Sequence, residues 1–470
     1  MQDLLTTLAR SAAADWIDIR YHRRQVRTAA VRKGQLTAAS SNVVSGVGIR
    51  VLAGGGWGFA ASADLSAAAL RRTLDKAVRA ARALGAGRKS PARVATEARG
   101  PVPFNPPPVP PRTDFEQMLQ QVLATEARVR AASSRISSGM VSWSELDDER
   151  VLVNSAGQAF AFREVRPEFR VQAVAENAGE MQTSSNNVGV RGGLAELFAG
   201  GDAESLAEMS ARQAVDLLSA PYPEGGKATV ILHPGVVGLL AHEAIGHTVE
   251  ADFVLAGSIA AGKLGRTVAS PLVNLVDSGL EEYGRAPAGA LPVDDEGVAA
   301  GRTDVIRDGV LVGYLHNRES AALFGVAPTG NARAFEYDDE PLIRMRNTFI
   351  EPGVTPLSEM IAGVKQGYLL EGPGGGQADA NAEFVFGVQR AWEIKDGKLG
   401  KLHRGVTISG QAFDVLGSVD AVGTDFSWGI GAGYCGKKQR CKVDAGGPHL
   451  RCTVTLGGAQ KEIQSTNAMG

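Results

Sequence analysis

The chain has 470 residues, of which 44% are hydrophobic and 21% charged, with 49 basic and 51 acidic side chains giving a formal net charge of -2. That length exceeds what one hydrophobic core usually serves, so two domains are expected. No run approaches the roughly 18 apolar residues of a membrane span, and the near-neutral charge supplies no global field for nucleic acid. A soluble protein that engages neither membrane nor nucleic acid is expected.

The start, Met1 to Asp18, has no basic head, apolar stretch or small-residue cleavage site of the secretory kind. The three cysteines, Cys435, Cys441 and Cys452, make a poor disulfide framework. A cytoplasmic location with reduced thiols is therefore expected. Arg23, Arg27, Arg32 and Lys33 form a locally basic stretch that reads as the solvated face of a strand.

Ile17–Tyr21, Val26–Val31 and Val43–Leu52 carry β-branched residues with period-two patterning, and Gly54, Gly55 and Gly56 turn the last into Trp57–Ala60. From Asp64 as N-cap, Leu70, Leu74, Ala77, Val78 and Ala81 fall at helical spacing, and Gly85 is a stop. Seven prolines in 101–111 predict an extended, semi-rigid connector. Thr113 and Glu116 then form a capping-box pattern, followed by the helical stripe Phe115, Met118, Leu119, Val122 and Leu123. Strand-like segments run from Ser142 to Val174, and a helix is expected over Ala203–Leu218.

The turn-rich Pro221-Tyr222-Pro223-Glu224-Gly225-Gly226 precedes a strand at Ala228–Leu232 and marks the expected boundary. Residues 1–224 read as an N-terminal α/β domain, a sheet with covering helices, and 225–470 as a β-rich domain, with short strands such as Thr303–Ile306, Gly309–Tyr314 and Glu383–Trp392. The fold class is α+β.

Pro234 opens an apolar helix that carries His242, Glu243 and His247. Imidazole suits zinc, and a carboxylate beside the first ligand can take a proton from zinc-bound water, whose pKa falls to about 7. In the common zinc-peptidase motif the histidines are four apart and share a helix face. Here they are five apart. At about 100° per residue the second histidine would lie roughly 140° from the first on a regular helix. Either a π-type bulge realigns them, or the helix ends near Gly246 and His247 points back from a looser turn. His22, His233, His316, His403 and His449 have no partner at ligand spacing.

A catalytic zinc takes three protein ligands and an open position. For the third, Glu250 and Asp252 are near in sequence, whereas Cys435 sits in a glycine-flanked loop, Cys441 is ambiguous and Cys452 belongs to the strand-like Leu450–Leu456. The acidic run Asp294-Asp295-Glu296 reads as a strand-entry turn rather than a hard-cation site. Gly374-Gly375-Gly376 is either a tight turn or a place where substrate backbone approaches, with Glu383–Phe386 pairing an extended peptide. Gly54 to Gly58 lies in a hairpin pattern and is no dinucleotide fingerprint.

Several segments carry a resemblance to a known family: His242-Glu243-Ala244-Ile245-Gly246-His247, Asp294-Asp295-Glu296-Gly297 with Arg302-Thr303, Ala327-Pro328-Thr329-Gly330-Asn331, Arg344-Met345-Arg346-Asn347-Thr348, Gly374-Gly375-Gly376-Gln377 and Cys435-Gly436-Lys437. Gly48-Ile49-Arg50-Val51 and Trp57-Gly58-Phe59 add to it. Together they resemble the metal-motif-bearing TldD branch of the TldD/PmbA family, bacterial and archaeal proteins described as metallopeptidases and formerly as modulators of DNA gyrase. The resemblance implies zinc ligands His242, His247 and Cys435, a catalytic base Glu243, and a barrel-like C-terminal domain carrying the zinc helix. It also implies a heterodimer with a TldE/PmbA-like sister subunit. After Lys437 the segment Lys438-Gln439-Arg440-Cys441-Lys442 departs from the Gly-Gln-rich stretch expected there.

The expected activity is zinc-dependent hydrolysis of unstructured or small cytoplasmic peptides. One alternative is hydrolysis of an amide or related bond in a peptide-like intermediate of specialised-metabolite biosynthesis. The other is a regulatory binding protein of the gyrase-modulator type, against which Glu243 argues because binding alone needs no base.

Overall fold

The computed structural model describes residues 1–87, 90–95 and 104–458. The first half is built on an antiparallel sheet of β1 (Trp16–Arg32), β2 (Gln35–Ala53), β3 (Gly56–Ser62), β4 (Ile136–Asn154), β5 (Ala159–Asn177) and β6 (Glu180–Gly189), in the order β3-β2-β1-β4-β5-β6. The expected segments Ile17–Tyr21 and Val26–Val31 are one continuous strand, which turns into β2 at Lys33 and Gly34, both at positive φ. The charged stretch between them did not break the strand, and His22 and Arg24 both meet the buried Asp148. Arg27, expected on a solvated face, is buried and donates to Glu145 and to the Thr113 carbonyl.

Among the described residues five helices accompany the sheet: α1 (Gln2–Ala9), α2 (Ala67–Gly85), α3 (Phe115–Ala131), α4 (Leu194–Leu197) and α5 (Ala203–Leu217). The caps differ by a residue or two from expectation. Ser66, not Asp64, caps α2 by accepting from the Ala69 N–H, and Asp64 accepts from the Ser66 N–H. Asp114 caps α3, because its carboxylate reaches the N–H groups of both Glu116 and Gln117, while Thr113 donates to Glu145 instead. The connector carries no helix or strand over 104–114, and residues 101–103 lie outside the described residues.

Period-two alternation gives the sheet two unlike faces. Ile17, Ile19, Val47, Ile49 and Val51, and further along Ala29, Val31, Trp143 and Phe169, pack beneath α1 and α2 at one end and α3 and α5 at the other. The opposite face carries Asp18, Arg20, His22, Arg24, Asp148, Arg150, Glu164 and Arg166, all buried or nearly so. Those charges meet the second half of the chain. Arg150 donates to Asp295 at 2.8 and 2.9 Å, Arg50 pairs with Glu296, and Lys442 reaches Glu168 at 2.5 Å. The acidic run Asp294-Asp295-Glu296 is thus a buried turn whose carboxylates accept from arginines and from backbone N–H groups.

In the second half a closed five-stranded barrel forms from β7 (Gly226–Leu232) and the strands Gln366–Ala378, Glu383–Lys395, Val406–Gln411 and Leu450–Gly457, the first and second of these four closing the ring. The β-rich α+β class expected from sequence is the class observed. The expected strand Gly309–Tyr314 shrinks to Val310–Leu311 in a second sheet, where it pairs with Ile306 and Arg307 and Val310 also bridges to Thr267. Gly374 to Gly376 lies within a bulged strand rather than a tight turn. Glu383–Phe386 is paired on both sides, to residues of 376–378 and of 408–411, so it has no edge left for a peptide, contrary to expectation. The free edge belongs instead to Glu371–Ala378, which extends past β7 with no second strand partner among the described residues. No helix among the described residues is long and apolar enough to cross a membrane.

Asp148 shows how this interior face is held. It accepts from Arg24 at 2.7 and 2.8 Å and contacts His22 at 3.0 Å. Burial pushes its carboxyl up, but Arg24 and His22 outweigh that and hold it well below its ordinary value. Asp148→Ala leaves two buried cationic or polar groups uncompensated and is expected to cost about 3–5 kcal/mol near neutral pH. A depressed folded-state pKa contributes stability above the unfolded value, lost as pH falls through the folded one. The gap between wild type and D148A in denaturant unfolding should therefore close in strong acid.

Candidate metal centre

After β7, His233 caps α6 (Pro234–Leu239), its Nδ1 accepting the Gly235 N–H, and Pro234 takes the first helical position as expected. Every residue of α6 is buried, and Gly238 lets the helix lie against the strand Asp444–Gly447, where a Cβ would come within 2.7 Å of the Ala445 carbonyl carbon. From Leu240 to Gly246 the backbone is π-helical, and His247–Val249 tightens into a 3₁₀ turn. Of the two alternatives open in the sequence, the structure takes the π-type turn. With i→i+5 bonding, residues five apart come into line. Gly246 at its end leaves room for Met345, whose Sδ would lie 1.9 Å from a Cβ there.

The consequence is that the two imidazoles face each other, ring centroids 5.4 Å apart at 77°. Cys435, in the hairpin strand Tyr434–Lys437, approaches the same point, its Sγ 3.2 Å from His247 Nε2. One ligand atom from each of His242, His247 and Cys435 lies within 4.8 Å of the others, the only such group among the described residues. Cys435 and His242 are buried, at 4% and 1% exposure, while the Glu243 side chain is 30% exposed with Oε2 3.9 Å from His247 Nε2. The centre is closed behind and open on the Glu243 side.

The donors fit a divalent, borderline-soft metal. Two imidazoles and a thiolate are ordinary zinc ligands, three being the number a catalytic site uses. His242 Nδ1 is buried without a hydrogen-bond partner, an orphaned polar atom that a bound metal would account for. Burial alone pushes the Cys435 thiol up, yet the charge and hydrogen bonds of His242 and His247 bring it down to about 4. Burial likewise lowers His247, but hydrogen bonds to Cys435 and Glu250 raise it to about 10. Protons and metal compete for these same atoms.

Glu250, a third-ligand candidate in the sequence, stands behind His247 instead, its Oε2 3.1 Å from His247 Nδ1. A carboxylate there holds Nδ1 protonated and presents Nε2 forward. Asp252, the other candidate, is bound by Lys437, whose ammonium donates to Asp252 at 2.8 Å, Glu250 at 3.1 Å and the Ile343 carbonyl at 2.9 Å. Arg344 donates to the carbonyls of Cys435 and Gln439 at 2.7 and 2.9 Å. Sequence reasoning assigned no role to Lys437 or Arg344. Cations placed in otherwise strand-like segments were the available signal. Cys441 stands outside the donor group, and Cys452 packs in the barrel strand as expected.

Comparison with known proteins gives the family. Family models described as PmbA/TldA metallopeptidase domain 1, central domain and C-terminal domain match residues 17–81, 108–218 and 225–458. A Methanothermobacter thermautotrophicus protein named metalloprotease is 33% identical over 93% of this chain and 94% of its own. The chain belongs to the PmbA/TldD metallopeptidase family. A Saccharolobus solfataricus relative named zinc metalloprotease TldD homolog is 35% identical over 51% of this chain and 53% of its own. The solved structure of TldE from Thermococcus kodakarensis shares the fold, with a TM-score of 0.75 at 18% identity over 95% of this chain and 97% of that one.

Glu250→Gln keeps the size of the side chain and removes its charge. Metal affinity is expected to fall by about 10–100-fold, measured by competition with a chromophoric chelator, while the helical circular dichroism stays unchanged.

Proposed function

We propose that this chain is a zinc-dependent peptidase in which His242, His247 and Cys435 hold the metal and Glu243 is the general base. The observation that carries the reading is the convergence of these three donors through a π-helical turn, with a partly exposed carboxylate on the open side. The relative named a zinc metalloprotease supports the choice of metal.

Zinc, when bound, supplies Lewis acidity to the peptide carbonyl and acidifies the attacking water. Glu243 accepts the proton of that water and returns it to the nitrogen of the leaving amine. Glu250 keeps the His247 ring oriented, and His247 together with Lys437 keeps Glu250 ionised and in place. Buried His242 and Cys435 keep solvent away from the closed side. The proposed substrates are unstructured or small peptides, because only a chain without internal backbone bonds can pair along the free edge Glu371–Ala378. A thiolate donates more charge to zinc than a carboxylate or imidazole, so activity should be modest.

We further place the chain as the catalytic member of a heterodimer with a TldE-type sister subunit, a reading supported by the shared fold with TldE.

Glu243→Gln should retain zinc and lose about 10²–10⁴-fold in peptide hydrolysis, whereas Cys435→Ala should lose most of its zinc. Elemental analysis and a panel of unstructured peptides, with and without the sister subunit, check both. Full hydrolysis by zinc-loaded E243Q would sink the mechanism. Zinc retained at full stoichiometry by C435A would sink the ligand set.

A further inference from the structure

We propose that Cys435 and Cys441 form a reversible disulfide, which makes the candidate metal centre a site of thiol oxidation. The bond itself needs only the hairpin. Its effect on the metal rests on the function proposed above.

The strands Tyr434–Lys437 and Gln439–Lys442 pair antiparallel, with Lys438 at the turn at φ 59°, and the register places Cys435 directly opposite Cys441. Directly opposed residues of an antiparallel pair project to the same face, with Cα atoms about 4.5–5.5 Å apart. A disulfide spans Cα separations of about 4.4–6.8 Å. Both thiols are free and buried, each 4% exposed. Arg344 ties the two strands together through the Cys435 and Gln439 carbonyls, so the register has little freedom to slip, and its charge faces both sulfur atoms. Cys441 lies outside the three-donor group, so metal binding gives it no role. Cys452 is the internal contrast: it sits opposite Val230 in the barrel, with no second thiol across from it, and burial pushes its thiol up.

The oxidant is a peroxide, small enough to enter a site open to water. The Cys435 thiolate attacks one oxygen of hydrogen peroxide, the O–O bond breaks, and sulfenic acid and hydroxide form. The Cys441 thiol then attacks the sulfenic sulfur, forming the S–S bond and expelling water once the proton has moved to the leaving oxygen. Two thiols are oxidised by two electrons and one peroxide is reduced to two waters. The linked Cys435 sulfur is no longer an anionic donor, so the disulfide and a three-donor metal site exclude each other. A dithiol reductant reverses the bond by exchange.

The test uses the full chain, stripped of metal and reduced, then treated with hydrogen peroxide and digested with trypsin. Lys437, Lys438 and Arg440 lie between the two cysteines, so after cleavage only a disulfide keeps their peptides together. The expected result is loss of two of the three thiols, a linked Cys435–Cys441 peptide, and its release by a dithiol. C441S should form no such link and still bind zinc. Loss of no thiols, a link to Cys452, or oxidation of Cys435 to sulfinic acid without any linked peptide would overturn the proposal. Prior saturation with zinc should suppress the link. A link that forms equally fast with zinc bound upholds the disulfide and overturns instead the assignment of Cys435 as a zinc ligand.

Discussion

Two histidines five residues apart cannot share the face of a regular helix, and the candidate centre exists because the backbone absorbs that mismatch in a π-helical turn from Leu240 to Gly246. The turn brings His247 round to face His242, puts Glu243 at the open side, and ends on a glycine that Met345 crowds. Such a turn is less favourable than α-helix, so it persists where surrounding contacts over-determine it. Here the preceding helix is wholly buried against the strand Asp444–Gly447, and the residues that follow are tied to Leu315 through the Ala251 N–H. The irregularity is anchored at both ends.

The third donor arrives from almost two hundred residues away, and its placement is electrostatic as much as hydrophobic. Lys437 and Arg344 are two of the cations that hold the Cys435 hairpin. One reaches forward to the carboxylates behind His247; the other grips the hairpin's own carbonyls. Each forms charge-assisted hydrogen bonds in a buried setting, where these are stronger than between neutral groups. The thiolate's own charge is met chiefly by His242 and His247, which outweigh the burial that would otherwise push the thiol up. The cations thus place the donor, and the imidazoles stabilise its charge.

A larger version of this logic joins the halves of the molecule. The sheet of the first half turns an apolar face to its helices and a charged face to the barrel side, where Arg150, Arg50 and Lys442 meet Asp295, Glu296 and Glu168. Lys442 belongs to the strand that carries Cys441, so the hairpin of the candidate centre is also a rivet between the halves. Buried pairs of this kind do little for net stability against an apolar alternative, but losing one partner is costly, which favours a single docking arrangement.

Local pattern alone was enough to read the α+β class, the helices α2, α3 and α5, the proline at the first position of α6, and His242, Glu243 and His247 as a chemical group, because these follow from periodicity and residue chemistry over short stretches of chain. The five-residue spacing even posed the question that the π-helical turn answers. What local pattern could not decide was anything requiring a partner from far along the chain. Cys435 rather than Glu250 or Asp252 beside the imidazoles, Glu250 turned to the back of His247, Arg27 buried on Glu145, and Glu383–Phe386 closed off on both edges all depend on which strands the tertiary fold sets side by side. A charged or strand-forming residue has the same appearance in sequence whether it meets water or an opposite charge; burial, which only the assembled fold imposes, decides which it meets.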